Sequence, residues 1–336
     1  MIQKMKSTLA VLLESFFRHR LVAQRGASPA TVVAYRDALR LFLVFASKHA
    51  GKPPSRLGLD ELDRDLVLAF LDHLEQQRHN STRTRNVRLA AIRSFFQHVA
   101  YCDPAGISLA QRILSIPGKR TTKRLVGYLR QPELEAILAA PDRTTPLGRR
   151  DHALLLFLAR TGARVSEAIG VDAAELSLQR PCQVLLHGKR GIQRVVPLEK
   201  DIAAVLKALL DERGVATDSQ TPVFVNARGL RLTRKGVTHI LTRAVTIAAK
   251  TKPGLTGRAI SPHTMRHSLA MQLLQSGVEL STIQSWLGHA SINTTHQYVE
   301  ADLEMKRRAL EKCNNPEASP TSYQPTDEVL AFLESL

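Results

Sequence analysis

The chain has 336 residues, 44% of them apolar, and a formal net charge of +17. That length suits two ordinary domains, and that apolar content fills a core, which excludes a largely disordered chain. Lys and Arg outnumber Asp and Glu by 19 to 9 over residues 1–120 and by 24 to 13 over 121–298, whereas 299–336 reverses to 4 against 8. Two successive basic segments before an acidic tail point to a long polyanion gripped by both.

A membrane surface is the competing partner, but there is no apolar run of about 18 residues and no basic amphipathic helix at either end. The opening MIQKMKSTLAVLLESFF is interrupted by Glu14 and lacks a small-residue cleavage site, so it does not read as a secretion signal. Cys102, Cys182 and Cys313 are far apart and form no CxxC pair. They suit a reducing compartment and argue against a disulfide frame or a cysteine zinc site. A soluble, intracellular protein is the expectation.

In chain order, four helical patterns come first. Thr8 to about Gln24 carries Leu9, Leu12, Leu13, Phe16 and Phe17. Ser28-Pro29 caps a second helix through about His49, with Tyr35, Leu39, Phe42 and Phe45 at helical spacing. Gly51–Leu59 reads as a loop. A third helix spans about Asp63 to Arg78, with Val67, Phe70, Leu71 and Leu74 inward. Ser81 opens a fourth, whose apolar set is Val87, Leu89, Ile92, Phe95, Phe96 and Val99 and whose cationic set is Arg83, Arg85, Arg88 and Arg93. Cations are disfavoured at a helix start, and a docked phosphate backbone would relieve that conflict. The alternative is a solvated basic face.

The expected domain boundaries are 1–111, a basic linker at 112–124 that includes Lys119 and Arg120, a second domain at 125–312 and a tail at 313–336. In the second domain Gln131-Pro132-Glu133 starts a helix through Ala140. Residues 150–160 form a buried helix stopped by Thr161-Gly162. Arg164 then sits at a loop-to-helix junction, where it needs an anion or a salt bridge with Glu167 or Asp172. Val184–His187 and Gln193–Pro197 read as a hairpin with Lys189 in its turn; a turn lysine is either solvated or free to swing into a cleft. Phe224-Val225 suggests a further short strand. Arg231, Arg234 and Lys235 join Arg228 as a basic cluster before a helix at Gly236–Ala249.

The last stretch, Ser261–Tyr298, is densest in chemistry. Ser261 and Pro262 start a helix that places His263 and Arg266 on one face and stops at Gly277. Ser281 and Gln284 suggest a capping box for a second helix carrying Trp286 and Leu287, ended by Gly288. His289 follows at once, and a third helical pattern from about Ser291 brings up Tyr298. No paired-carboxylate motif, GxxxxGK[ST] loop or metal-ligand spacing is present, so neither metal nor other cofactor is expected. What remains is a set of anion-binding groups and one phenol. Two arginines grip a phosphate bidentately, and cationic neighbours favour the phenolate of a tyrosine whose free pKa is about 10. The set suits covalent phosphoryl transfer on a DNA diester. Tyr298 attacks, Arg164, Arg266 and His289 stabilise the charge, Lys189 protonates the leaving 5′ oxygen, and His263 assists proton traffic.

On TGARVSE (161–167), HGKRGIQRVVPL (187–198), HTMRH (263–267) and WLGHASINTTHQY (286–298), and more weakly on SPATVVAYRDALRLFLVF and STRTRNVRLAAIRSFF, the chain resembles the tyrosine recombinases of the phage-integrase and Xer class. The resemblance covers about residues 8–300. It implies a mainly α fold with a small antiparallel sheet: an N-terminal SAM-like four-helix core-binding domain and a catalytic domain, together a C-shaped clamp on double-stranded DNA. The family's catalytic set falls in order on Arg164, Lys189, His263, Arg266, His289 and Tyr298. It also implies a 3′-phosphotyrosyl intermediate and strand exchange through a Holliday junction, with a homodimer on each site and a tetramer in the synapse. A separate arm-binding domain is not expected. Residues 329–336 form an amphipathic end, expected to dock on a neighbouring subunit or fold back on their own. A type IB topoisomerase and a non-cleaving DNA-binding regulator remain as alternatives, and integration, transposition and chromosome resolution are not separated.

Overall fold

The computed structural model describes residues 8–121, 127–188 and 191–288. The chain divides into two compact units, Met1–Lys123 and Arg124–Leu336.

In the first unit, α1 (Leu9–Ser15) runs on as a π-helical segment, Phe16–Gln24, and is followed by α2 (Pro29–Ala50), α3 (Arg64–Gln76), α4 (Thr82–Cys102) and α5 (Ile107–Leu114). The starts are set by side-chain caps. Thr8, Ser28, Asp63 and Ser81 each accept a hydrogen bond from a backbone N–H in the first turn of the helix that follows, meeting donors that have no partner within the helix. Phe16, Phe42, Phe70, Phe95 and Phe96 are buried at the centre.

Two expectations need correction here. Val87 is 53% exposed and belongs to the outer face of α4. The expected linker at 112–124 opens inside α5: Ala110, Ile113 and Ile116 are buried in the first core. Asp103 caps a short 3-10 turn at Pro104–Gly106, which redirects the chain so that this i, i+3 apolar series packs rather than trails.

In the second unit, α6 (Gln131–Ala139), α7 (Pro146–Thr161) and α8 (Val165–Ala168) precede strands β1 (Leu176–Ser177), β2 (Gln183–His187) and β3 (Gln193–Pro197). Helices α9 (Lys200–Glu212), α10 (Arg234–Ala248), α11 (Pro262–Gln275) and α12 (Leu280–Leu287) follow. The strands form one antiparallel sheet in chain order, with Val184 opposite both Leu176 and Val196. Helix α7 is buried on every side from Asp151 to Ala159, as an element does when neighbours cover it all round; α6, α9 and α11 pack against it.

The hairpin is where the sequence placed it, but β1 was not foreseen, because two residues carry no alternation. Phe224-Val225 contributes only an isolated bridge, Val225 to Arg231. Helix α10 opens two residues early, at Arg234, with Thr233 as its cap. The expected capping box at Ser281 and Gln284 does not form. Glu279 takes the cap position, and Ser281 Oγ donates to its carboxylate at 3.3 Å.

Candidate active site

The site is built on two helix ends. Helix α7 stops at Gly162, whose φ of +62° is the left-handed conformation that glycine adopts without strain. A Cβ there would meet Leu287 Cδ2 at 2.7 Å and Leu269 Cδ2 at 3.0 Å, so the end of α7, the side of α11 and the end of α12 meet at this point. The Gly162 carbonyl accepts from Arg266 Nη1 at 2.6 Å, and Arg266 Nη2 donates to the Leu287 carbonyl. Arg266 is 2% exposed. Two carbonyls at helix C-termini thus receive the charge of a buried arginine, the favourable end of each helix dipole for a cation.

Arg164 is the N-cap of α8. Its backbone N–H and its Nη1 both donate to Glu167, at 2.8 and 2.7 Å, and its Nη2 donates to the Gly288 carbonyl at 2.9 Å. Glu167, 3% exposed, also accepts from Arg194 Nη2 at 2.7 Å. Burial alone would raise the Glu167 carboxyl. Hydrogen bonds from Arg194 and from the Arg164 backbone outweigh it and hold the group below the usual carboxylate range. Arg194 Nε in turn donates to the Trp286 carbonyl at 2.9 Å. Three successive carbonyls at the end of α12, those of Trp286, Leu287 and Gly288, are therefore held by three arginines, Arg194, Arg266 and Arg164. His289 is the next residue in the chain.

His263 lies in the first turn of α11, exposed, with its ring stacked at 6.0 Å on that of His267. Partial removal of water from the ring, and then the Arg266 and Arg164 charges, push its pKa down from the ordinary value, which favours the neutral imidazole at pH 7. A cavity of about 270 Å³ is lined by Arg164, Ser166, Arg234, Thr238, His263 and Arg266, among others. Arg164, His263 and Arg266 thus converge from loop, helix start and helix interior, on a concavity that is cationic and partly open. Such a cavity is suited to an anionic oxygen cluster and stabilises negative charge with little reorganisation. Lys189, His289 and Tyr298 lie outside the described residues, as do the third helical pattern, the tail and residues 329–336.

The nine basic residues expected to touch DNA separate into groups. Arg83 is exposed at the start of α4, Arg88 and Arg93 are half-buried along it, and Arg120 is exposed; Arg234 and Lys235 are exposed in the first turn of α10. Arg85 does not belong with them. It is 4% exposed, with Nε 3.7 Å from Glu75, and Lys119 Nζ reaches the same carboxylate at 2.5 Å. Burial of α4 against α3 turns Arg85 inward, and Glu75 answers part of the helix-dipole conflict assigned to phosphate. Arg231 is likewise occupied: it donates to the Ile169 and Gly170 carbonyls, at 2.8 and 2.7 Å, and to Asp172 at 2.6 Å, closing the end of α8.

Arg194 was not singled out, although a signal existed. In β3 it shares a face with buried Val196, two residues on, and a charged residue on the inner face of a strand needs a buried partner. Among the described residues no group of three His, Cys, Asp or Glu side chains could hold a metal ion, and no helix is long and apolar enough to cross a membrane.

The second unit matches the model of the Phage integrase family over residues 127–305, and the first matches the phage integrase N-terminal SAM-like domain over 13–100. The chain belongs to the phage integrase family, the tyrosine recombinases. It is 53% identical over 276 residues to the putative integrase/recombinase y4rD of Sinorhizobium fredii, covering 82% of this chain and 98% of that protein. To the tyrosine recombinase XerC of Pelobacter propionicus it is 32% identical over 304 residues, 90% and 95% of the two chains. The fold is similar to that of the XerH site-specific recombinase bound to palindromic difH substrate, with a TM-score of 0.67 and 24% identity over 85% of this chain and 81% of that one.

Proposed function

We propose that this recombinase cuts and rejoins DNA through Tyr298, forming a 3′-phosphotyrosyl intermediate at a specific site. The observation that carries the reading is the grip of Arg164 and Arg266 on the last turn of α12, beside a cationic cavity and directly before His289. Tyr298 attacks the scissile phosphorus in line with the 5′ oxygen. Arg164, Arg266 and His289 take the charge that grows on the non-bridging oxygens. Arg164 is held along one edge, by Glu167 and the Gly288 carbonyl; with five N–H groups on a guanidinium, it keeps donors for the cavity it lines. Lys189 protonates the leaving 5′ oxygen, and neutral His263 relays protons. The phosphotyrosyl bond conserves the diester energy, so neither ATP nor a metal enters the scheme.

Both basic units contact the duplex. Arg83, Arg88, Arg93, Lys119, Arg120, Arg234 and Lys235 contact its phosphates. The active form is a dimer on each site and a tetramer in the synapse, with residues 329–336 docked on a neighbour. Exchange proceeds through a Holliday junction in the bacterial cytoplasm, at the nucleoid, and serves integration, excision or transposition of a mobile element or Xer-like resolution. The domain limits set at 125–312 and 313–336 accompany this reading. The test is exchange between two labelled duplexes bearing the site, in EDTA and without nucleotide. Recombinant strands and a transient four-way junction are expected. Nicking and closing of single duplexes, with no exchange at any protein concentration, would contradict it.

A further inference from the structure

The residue left without a role in that scheme is Arg194. It is 10% exposed on β3 and makes two bonds at once, from Nε to the Trp286 carbonyl and from Nη2 to Glu167. Glu167 is the same carboxylate that holds Arg164. Trp286 lies in the same last turn of α12 as Leu287, which Arg266 holds, and next but one to Gly288, which Arg164 holds. The α12 turn, Glu167 and the Arg164 guanidinium therefore form one closed circuit with Arg194 as the link from the sheet. The planar guanidinium fixes the angle between its two acceptors; an ammonium supplies charge without that fork. Gly288 completes the fit. Its φ is +63°, and a Cβ there would stand 3.2 Å from Arg194 Cδ and Nη1.

We infer that Arg194 is a positioning residue for phosphoryl transfer, acting through Glu167 and the last turn of α12 to hold Arg164 in register with the cavity. The inference rests on the site reading above. It makes the geometry of the fork, rather than its charge, the thing that matters, and it assigns the effect to stabilisation of phosphate charge rather than to DNA affinity.

The experiment uses the full chain and a nicked duplex carrying the site recovered by sequencing DNA trapped on the wild-type protein. Single-turnover formation of the covalent adduct is timed for wild type, Arg194→Gln, Arg194→Lys and Gly288→Ala. Each is timed on the ordinary diester and on a duplex with a neutral methylphosphonate at the scissile position. A misplacement of about 1 Å costs up to about a hundredfold in rate, so all three variants are expected to cleave the diester about ten- to a hundredfold more slowly. Their Kd for the duplex should stay within about twofold. On the methylphosphonate, which demands less cationic stabilisation, the loss should shrink to about threefold or less. Assays run below each variant's melting temperature, followed by circular dichroism.

Wild-type rates in Arg194→Gln, full rescue by Arg194→Lys, or an equal loss on both substrates would overturn the positioning role. A wild-type chain on which no DNA is trapped covalently would take the site reading down with it. Adduct from wild type with an unaffected Arg194→Gln overturns this inference alone.

Discussion

His267 packs one turn beyond His263, and burial, followed by the His263 and Arg266 charges, pushes its pKa down to about 4. Unfolded, a histidine titrates near 6.5. Between those values the unfolded chain binds a proton that native His267 refuses, so stability falls as pH drops from 6.5 towards 4. His263, His98 and His152 are depressed in the same direction, each chiefly by burial. Glu167 acts in a lower window: its carboxyl is held low when folded, so its contribution is intact above the ordinary carboxylate value of about 4.5 and is lost only as pH falls below that through its folded pKa. Urea unfolding between pH 7.5 and 5 should show a falling midpoint, with His267 accounting for about 1–2 kcal/mol after allowance for solvent screening. In His267→Gln the slope should flatten even if the protein is less stable throughout; an unchanged slope contradicts the assignment. Arg85 and Arg83 give a second test at this scale. Removing one partner of a buried ion pair is costly, so Arg85→Ala should destabilise the first unit by about 2 kcal/mol in urea titrations. Arg83→Ala should stay within about 0.5 kcal/mol of wild type while weakening DNA binding. The sequence showed both as arginines near a helix start; only the packing of α4 on α3 tells which one faces Glu75.

Helix ends were the most legible elements. Ser28-Pro29 and Ser261 cap as their side chains and spacing suggested, and Asp63 and Ser81, expected only as helix starts, cap there as well, because capping is local chemistry. The hairpin of β2 and β3 was legible for the same reason. Long-range closure was not. Nothing local in Arg164 announces a bond to Gly288, 124 residues away, and nothing local in α5 distinguishes a packed helix from a loose connection until Ile113 and Ile116 are seen to be buried. Ser281 misled because a good capping residue lay two positions past the actual cap, Glu279. The tightest element junction, at Gly162, supplies the prediction for this scale. In Gly162→Ala the new Cβ meets Leu287 and Leu269 at a left-handed backbone position, so the variant should lose about 2–4 kcal/mol and the end of α12 should shift. Thermal unfolding measures the first effect. Loss of adduct formation at temperatures where the variant is still folded measures the second. A variant as stable and active as wild type would show that this junction tolerates movement.

At the scale of the whole molecule, charge is the dominant fact. Net charges of +10 over residues 1–120 and +11 over 121–298 lie on both units, and a duplex neutralising several lysines and arginines releases counterions. Log affinity should fall linearly with log salt, with a slope near −0.9 for each phosphate neutralised. Arg83→Ala and Lys235→Ala should each reduce that slope by about 1, without altering which site is chosen. A slope indifferent to both would remove them from the interface. In the proposed chemistry this basic scaffold delivers one particular phenol to a diester. The chain has five tyrosines, Tyr35, Tyr101, Tyr128, Tyr298 and Tyr323, and the tryptic peptide 267–306 contains Tyr298 alone among them. Mass spectrometry of the covalent protein–DNA adduct, digested with nuclease and trypsin, identifies the linked residue. The expected product is a nucleotide joined through its 3′ phosphate to Tyr298 in that peptide, with no adduct from Tyr298→Phe; linkage to another tyrosine, or through a 5′ phosphate, would contradict the proposed chemistry.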